Sequence, residues 1–146
     1  MTGNDAANSL SGYFGDDRLY GHGGDDSLEG GLGNDYLEGG AGADDFRFLF
    51  WEPLGPGNLD EVADFEVGSD EIQLFRGGFP ALPPGPLSAD IFSNSGTNDG
   101  NDLIIYDPVT GLLYYDADAG GPDAAIAFAH FQGEPLLSLA DFLPAP

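Results

Sequence analysis

Residues 3–47 read GNDAANSLSGYFGDDRLYGHGGDDSLEGGLGNDYLEGGAGADDFR, and this stretch decides the fold. At a period of nine it falls into five units in phase without a gap: GNDAANSLS (3–11), GYFGDDRLY (12–20), GHGGDDSLE (21–29), GGLGNDYLE (30–38) and GGAGADDFR (39–47). Every unit opens with glycine. The sixth position holds Asn8, Asp17, Asp26, Asp35 and Asp44, and the eighth holds Leu10, Leu19, Leu28, Leu37 and Phe46. Glycine allows the positive φ angles and close backbone approach of a tight turn, while the last three residues of each unit are extended and carry one inward apolar side chain. One apolar residue in nine buries too little surface to offset the ordering of so many glycines. Something besides hydrophobic burial has to hold such a repeat together.

The charge balance points to what that is. Among 146 residues, 26 are Asp or Glu, whereas Arg18, Arg47 and Arg76 are the only Lys or Arg, for a formal net charge of −23. Such a surface repels phosphate backbones and anionic headgroups, so neither nucleic acid nor stable membrane insertion is expected, and multivalent cations are the natural partners. An oxygen-rich carboxylate set suits hard cations. There is no cysteine, which removes disulfides, thiolate zinc sites and cysteine nucleophiles together. The N-terminal MTGNDAANSL has no positive segment or apolar run of signal-peptide length.

After the repeats the texture changes. FRFLFW and VADFEVGSDEIQLF are dense or alternating apolar runs that read as strands, so residues 1–47 are assigned to the repeat region and 48–146 to a small β-rich C-terminal cap. Trp51, beside Phe48 and Phe50, is expected in the core of that cap. GGFPALPPGPLSAD (77–90) reads as a surface loop because its glycines and prolines exclude regular structure. DLIIYDPVTGLLYYD (102–116) reads as a β-hairpin turning at Asp107–Gly111. AAIAFAHF offers one more strand, and no long helix is expected.

The phrases GGLGNDYLEGGAGADDF, DEVADFEVGSDEIQL and LIIYDPVTGLLYYDADAGG together resemble the C-terminal region of RTX (repeats-in-toxin) proteins. The resemblance implies an all-β fold, a right-handed parallel β-roll of calcium-binding nonapeptide repeats followed by the cap, with two units making one coil of eighteen residues. Leu19 and Leu37 then stack on one wall, and Leu10, Leu28 and Phe46 on the other. It also implies Ca²⁺ between units eighteen residues apart, bound by carbonyls at positions two and four plus the acid of the first unit, and by carbonyls at positions one and three plus the acid of the second. One implied site takes Tyr13, Gly15 and Asp17 with Gly30, Leu32 and Asp35. Another takes His22, Gly24 and Asp26 with Gly39, Ala41 and Asp44. A third takes Asn4, Ala6 and Asn8 with Gly21, Gly23 and Asp26, but departs from the pattern where Asn8 replaces Asp and Ala6 replaces Gly. Facing carbonyls and carboxylates match the six or more oxygens that calcium prefers. The resemblance further implies a secreted, extracellular protein, exported by a type I secretion system that reads the C-terminal segment.

Other features carry alternatives. Asp60, Asp64 and Asp70 in LDEVADFEVGSD either complete a further site at the end of the roll or are solvated strand ends. Asp116, Asp118 and Gly120 resemble the start of an EF-hand loop, but Ala127 stands where the bidentate acid belongs, so a polar turn is the expectation. His22 and His130 are the only imidazoles, and no HExxH or GxSxG occurs, so no catalytic function is expected of this chain. His130, alternating with apolar residues, reads as a strand-face residue. Two further readings remain open: the tail of a secreted hydrolase, metallopeptidase or lipase, whose catalytic domain lies elsewhere, and an adhesion or matrix element of the cell surface.

Overall fold

The computed structural model describes residues 1–49 and 57–144. Trp51 lies outside the described residues. The repeats form five strands: β1 Ser9–Phe14, β2 Arg18–Gly23, β3 Ser27–Leu32, β4 Tyr36–Ala41 and β5 Asp45–Phe48. The first four each cover the last three positions of one unit and the first three of the next, twice the extended length read from the repeat. The cause is the opening glycine, which stays extended and carries the strand into the following unit; the left-handed residues come later. Position two has φ of 74° at Tyr13, 81° at His22, 105° at Gly31 and 101° at Gly40, and position four is also positive in the same units. Tyrosine and histidine thus occupy a conformation that normally favours glycine.

Strands pair in parallel with partners eighteen residues on, Leu10 with Leu28, Leu28 with Phe46, and Leu19 with Leu37. The chain therefore alternates between two walls, one of order β1-β3-β5-β7 and the other beginning β2-β4-β6. These five apolar residues are buried and stack between the walls, as the period requires. The architecture is an all-β parallel β-roll.

Both walls run on past residue 47. Strand β6, Asp60–Val62, pairs in parallel with β4, setting Val62 beside Leu37, and β7, Glu71–Leu74, pairs with β5, setting Ile72 beside Phe46. The wall containing β6 then continues through β11 (Ile126–Phe131), β10 (Leu112–Tyr115), β9 (Ile104–Asp107) and β8 (Phe92–Ser93). The expected hairpin is β9–β10, in which Asp107 pairs with Leu112 and Gly111 takes φ of 72°. Strand β11 lies parallel to β6 and antiparallel to β10, so it joins the roll to the hairpin.

Here the core thickens. Phe48 meets Phe128 edge-on at 5.4 Å between ring centroids, Phe65 meets Phe131 at 5.3 Å, and Phe79 meets Phe128 at 4.9 Å. Edge-to-face pairs of this kind add to area burial. Segment 77–90 has no strand, yet Phe79 and Leu82 are fully buried. It is a packed loop rather than a superficial one, because two large apolar side chains anchor it. Helix among the described residues is limited to one 3-10 turn, Leu139–Asp141, capped by Ser138. None of the described helix is long and apolar enough to cross a membrane.

Candidate metal sites between the coils

The sixth-position acids sit at the turns between the walls, and from Asp26 on each caps the coil before it. Asp26 Oδ1 accepts the Asn8 N–H at 2.6 Å, Asp35 Oδ1 that of Asp17 at 2.7 Å, and Asp44 Oδ1 that of Asp26 at 2.8 Å. The series goes on outside the repeats, where Asp60 Oδ1 accepts the Asp35 N–H at 3.1 Å and Asp70 Oδ1 that of Asp44 at 3.0 Å. All five of these acids are buried.

The second oxygen is different. Oδ2 of Asp26, Asp35 and Asp44 is buried without a hydrogen-bond partner. Leaving a buried polar oxygen unmatched is costly, and more so when it is anionic, so the site calls for a positive charge. Burial pushes the Asp44 carboxyl up to about 6, helped by the nearby Asp70, Asp26 and Asp64, and pushes Asp60 up to about 8. Burial raises Asp35 and Asp70 as well.

Backbone oxygens crowd the same gaps. A Cβ placed on Gly12 would lie within 2.7 Å of both Asp17 Oδ2 and the Gly30 carbonyl, and one on Gly21 would collide with both Asp26 Oδ2 and the Gly39 carbonyl. The opening glycine thus leaves room where a carboxylate and a carbonyl of the following coil converge. Carbonyls at positions two and four also face forward: a Cβ on Gly31 would strike the Tyr13 oxygen, on Gly33 the Gly15 oxygen, on Gly40 the His22 oxygen and on Gly42 the Gly24 oxygen. The Leu32 carbonyl faces back and accepts the Gly15 N–H at 2.7 Å. The expected residues of the first two sites therefore line gaps walled by oxygen, a donor set fitted to Ca²⁺. Among the described residues no three acidic or imidazole side chains gather at one point in an arrangement that could hold a metal ion by side chains alone.

The third expected set keeps the convergence of Asn8 Oδ1 with the Gly21 carbonyl, which a Cβ on Gly3 would strike, but differs at its second and fourth positions. Asn8 Oδ1 accepts the Asn4 N–H at 2.7 Å, Asn4 Oδ1 accepts the Ala6 N–H at 2.9 Å, and neither Asn4 nor Ala6 has a positive φ. Asparagine side chains close this turn on itself, and the left-handed positions that aim carbonyls at the next coil are missing. Asp64 accepts the N–H groups of Gly39 and Gly40 at 2.9 and 2.8 Å, a bridge between cap and roll that the sequence did not signal. Asp116 accepts from Asn98 Nδ2 and from the N–H groups of Asp118 and Gly120, the polar turn expected there. His130 Nδ1 lies 2.8 Å from Glu61 Oε2 across the β6–β11 pair, on the strand face.

Comparison with known proteins finds a family match over the repeats. The family model described as the RTX calcium-binding nonapeptide repeat (4 copies) matches residues 2–37 and 22–47. No curated protein matches the chain. Among solved structures, the AlgE6R3 subunit of the mannuronan C5-epimerase from Azotobacter vinelandii is similar, with 28% identity, 97% of this chain and 80% of that chain covered, and a TM-score of 0.48. The RTX repeat family binds Ca²⁺. Residues 2–47 thus match the RTX calcium-binding nonapeptide repeat, and this chain winds them as a parallel β-roll.

Proposed function

We propose that this chain is a non-catalytic module of an exported protein, that it folds when it meets extracellular calcium, and that its C-terminal part carries the signal read by a type I exporter. The observation that carries the reading is the set of buried, unpartnered Oδ2 atoms on Asp26, Asp35 and Asp44, repeated at the step of the roll. Bound Ca²⁺ would supply the positive charge these oxygens call for. Tyr13, Gly15 and Asp17 with Gly30, Leu32 and Asp35 would hold one ion, and His22, Gly24 and Asp26 with Gly39, Ala41 and Asp44 another. In a cytosol poor in calcium the carboxylates repel and the chain stays extended, the form an exporter can thread. Outside, millimolar calcium is sufficient for sites of the affinity usual in extracellular modules.

The export half of the reading rests on resemblance of the terminal segment. Its test must spare β11, because that strand lies between β6 and β10 and its loss would open the sheet. Deleting residues 138–146 should stop secretion from cells carrying a functional type I exporter while calorimetric calcium binding persists. Secretion of the shortened chain at the full-length rate would refute the signal assignment.

A further inference from the structure

We propose that strand β1 is a docking surface for a second copy of this chain. The free edge of Ser9–Phe14 pairs antiparallel with the same strand of another molecule, about a two-fold axis at Ser11.

An edge left open gives the first support. Among the described residues the two walls end in four edge strands, β1 and β7 on one and β2 and β8 on the other. Three of these are blunted. The N-terminal residues flank β2, where Thr2 bridges Tyr20, the Gly3 N–H donates to the Tyr20 carbonyl and the Tyr20 N–H donates to the Met1 carbonyl. The C-terminal residues flank β7, where Phe142 bridges Ile72 and the Leu143 N–H donates to the Ile72 carbonyl. Strand β8 is only two residues long. Strand β1, by contrast, runs for six residues, and among the described residues no strand pairs with its other side. The Ser27 N–H of β3 goes to the Asn8 carbonyl, and successive residues of a strand point their backbone groups to opposite sides. The N–H and carbonyl groups of Ser9 and Ser11 therefore face the open side.

The chemistry of the strand gives the second. Exposed edges are normally protected by charge, proline or a bulge. Strand β1 has no charged residue and no proline, and it keeps its register against β3. Residues 6–15, AANSLSGYFG, run for ten positions without a charge, against at most six elsewhere in the repeats, in a chain of net charge −23. At the end of this run Tyr13 and Phe14 are 68% and 76% exposed. Adjacent exposed aromatics beside an unpaired edge have the composition of a contact surface rather than of a solvated one.

Charge selects the occupant. A basic partner would seek the acidic turns, not the least charged strand of the roll. An antiparallel copy brings the end of β1 that is followed by Asp16 and Asp17 beside the opposite turn, residues 4–8, where Asp5 is the only charge among Asn4, Ala6, Ala7 and Asn8. The departure of the first unit from the acidic pattern thus falls where two equally charged molecules would meet. With Ser11 of both copies on the axis, Ser9 of each faces Tyr13 of the other, and the outward backbone groups find partners. Large aromatic side chains bury about 150–250 Å² each, so four of them and two paired strands reach the lower limit of specific interfaces, about 1,200 Å². A contact of that size gives a weak, reversible dimer.

The experiment is sedimentation equilibrium of the full chain at about 1 mM Ca²⁺, the range of extracellular sites. Over about 1 µM to about 1 mM protein, the span in which so small a contact titrates, wild type should pass from monomer to dimer and stop there. Ser11→Glu and Ser11→Lys each set like charges opposite one another on the axis and should raise the dimer Kd about tenfold or more. An equal mixture of the two variants should recover the dimer, seen by native mass spectrometry as a species of intermediate mass. Wild type that stays monomeric at the highest concentration, a measurement that needs no variant to fold, would overturn the inference. Growth beyond a dimer, unchanged dimerisation in both variants, or a mixture that stays monomeric while circular dichroism shows both variants folded would overturn it too. The calcium reading of the repeats stands in each of these cases.

Discussion

Asp44 Oδ1 accepts the backbone N–H of Asp26 at 2.8 Å, eighteen residues earlier, while the other oxygen of the same carboxylate is buried and unpartnered. One side chain thus does two jobs: it sets the register of adjacent coils and presents a charge to the gap. The same division holds for Asp26 and Asp35, so substitutions there can separate the two roles.

Asp26→Ala and Asp35→Ala should each weaken calcium binding at least tenfold, about 1.4 kcal/mol or more, since each removes a charged ligand as well as a ladder bond. Asp26→Asn keeps the acceptor for Asn8 N–H and should lose affinity with less loss of calcium-saturated stability. Asp99→Ala should change affinity little, because Asp99 lies in an exposed turn whose contacts are with Asp102 and Asn101. Titration calorimetry on the four variants decides it, and equal losses in all would defeat the assignment.

Glycines in the repeats divide by what surrounds them. Gly21→Ala would drive a methyl into Asp26 Oδ2 and the Gly39 carbonyl, so it should abolish binding at that gap. Gly15→Ala meets open space and pays only for φ of 91°, about 1–2 kcal/mol of backbone strain. Tyr13 and His22 already tolerate such angles. Calcium titrations should therefore show a lost site in the first variant and a shifted midpoint in the second; the reverse order would contradict the proposed position of the ion.

The period of nine was legible because each residue of the unit has one task, and the walls, the stacking of Leu10, Leu28 and Phe46, and the β9–β10 hairpin follow from it. The continuation of the roll was harder to read. Insertion of seven or eight residues breaks the phase between Asp35 and Asp60 and between Asp44 and Asp70, although the Asp-x-apolar step survives in both. By sequence Asp64 reads either as part of a further site at the end of the roll or as a solvated strand end; that it reaches back 25 residues to Gly39 depends on the tertiary path of the chain, which no local spacing encodes. Phe79 and Leu82 were hidden by the surrounding prolines, which exclude strand but not burial.

Calcium-free protein should respond to pH in the sense opposite to ordinary acid denaturation. Asp44 and Asp60 have folded-state values of about 6 and about 8, above the usual 3.8, so the fold takes up protons there. Their contribution is fully present below pH 3.8 and is lost as pH rises through about 6 and then about 8. Stripped of calcium, the chain should show more far-UV β signal at pH 5 than at pH 8. With calcium saturating at pH 8, acidification should instead release the ion, because protons compete for the same carboxylates. A β signal in the stripped protein that stays flat or grows from pH 5 to pH 8 would rule out buried acids as the source of the instability.

The last prediction is that calcium decides whether the roll exists at neutral pH. The repeats stack one apolar side chain per nine residues, order many glycines and carry most of their charge as carboxylate, so burial alone leaves them short of stability. A site with Kd of about 0.1 mM at about 1 mM calcium contributes roughly 1.4 kcal/mol. Two such sites give about 3 kcal/mol, and each further one adds the same, which approaches the whole stability of a small domain. Because each proposed gap takes ligands from two coils, and the chain between Asp17 and Asp35 includes Asp26, occupation of the first gap orders half of the second. The transition should therefore be cooperative in calcium. Magnesium should substitute poorly, since it demands stricter octahedral geometry and keeps more of its water. Far-UV circular dichroism and hydrodynamic radius, followed through a calcium titration of stripped protein at neutral pH, test all of this together. The expected result is an expanded chain that compacts and gains β signal over one steep step. A stripped chain already compact, with its full β signal, would mean that the ions bind a finished fold.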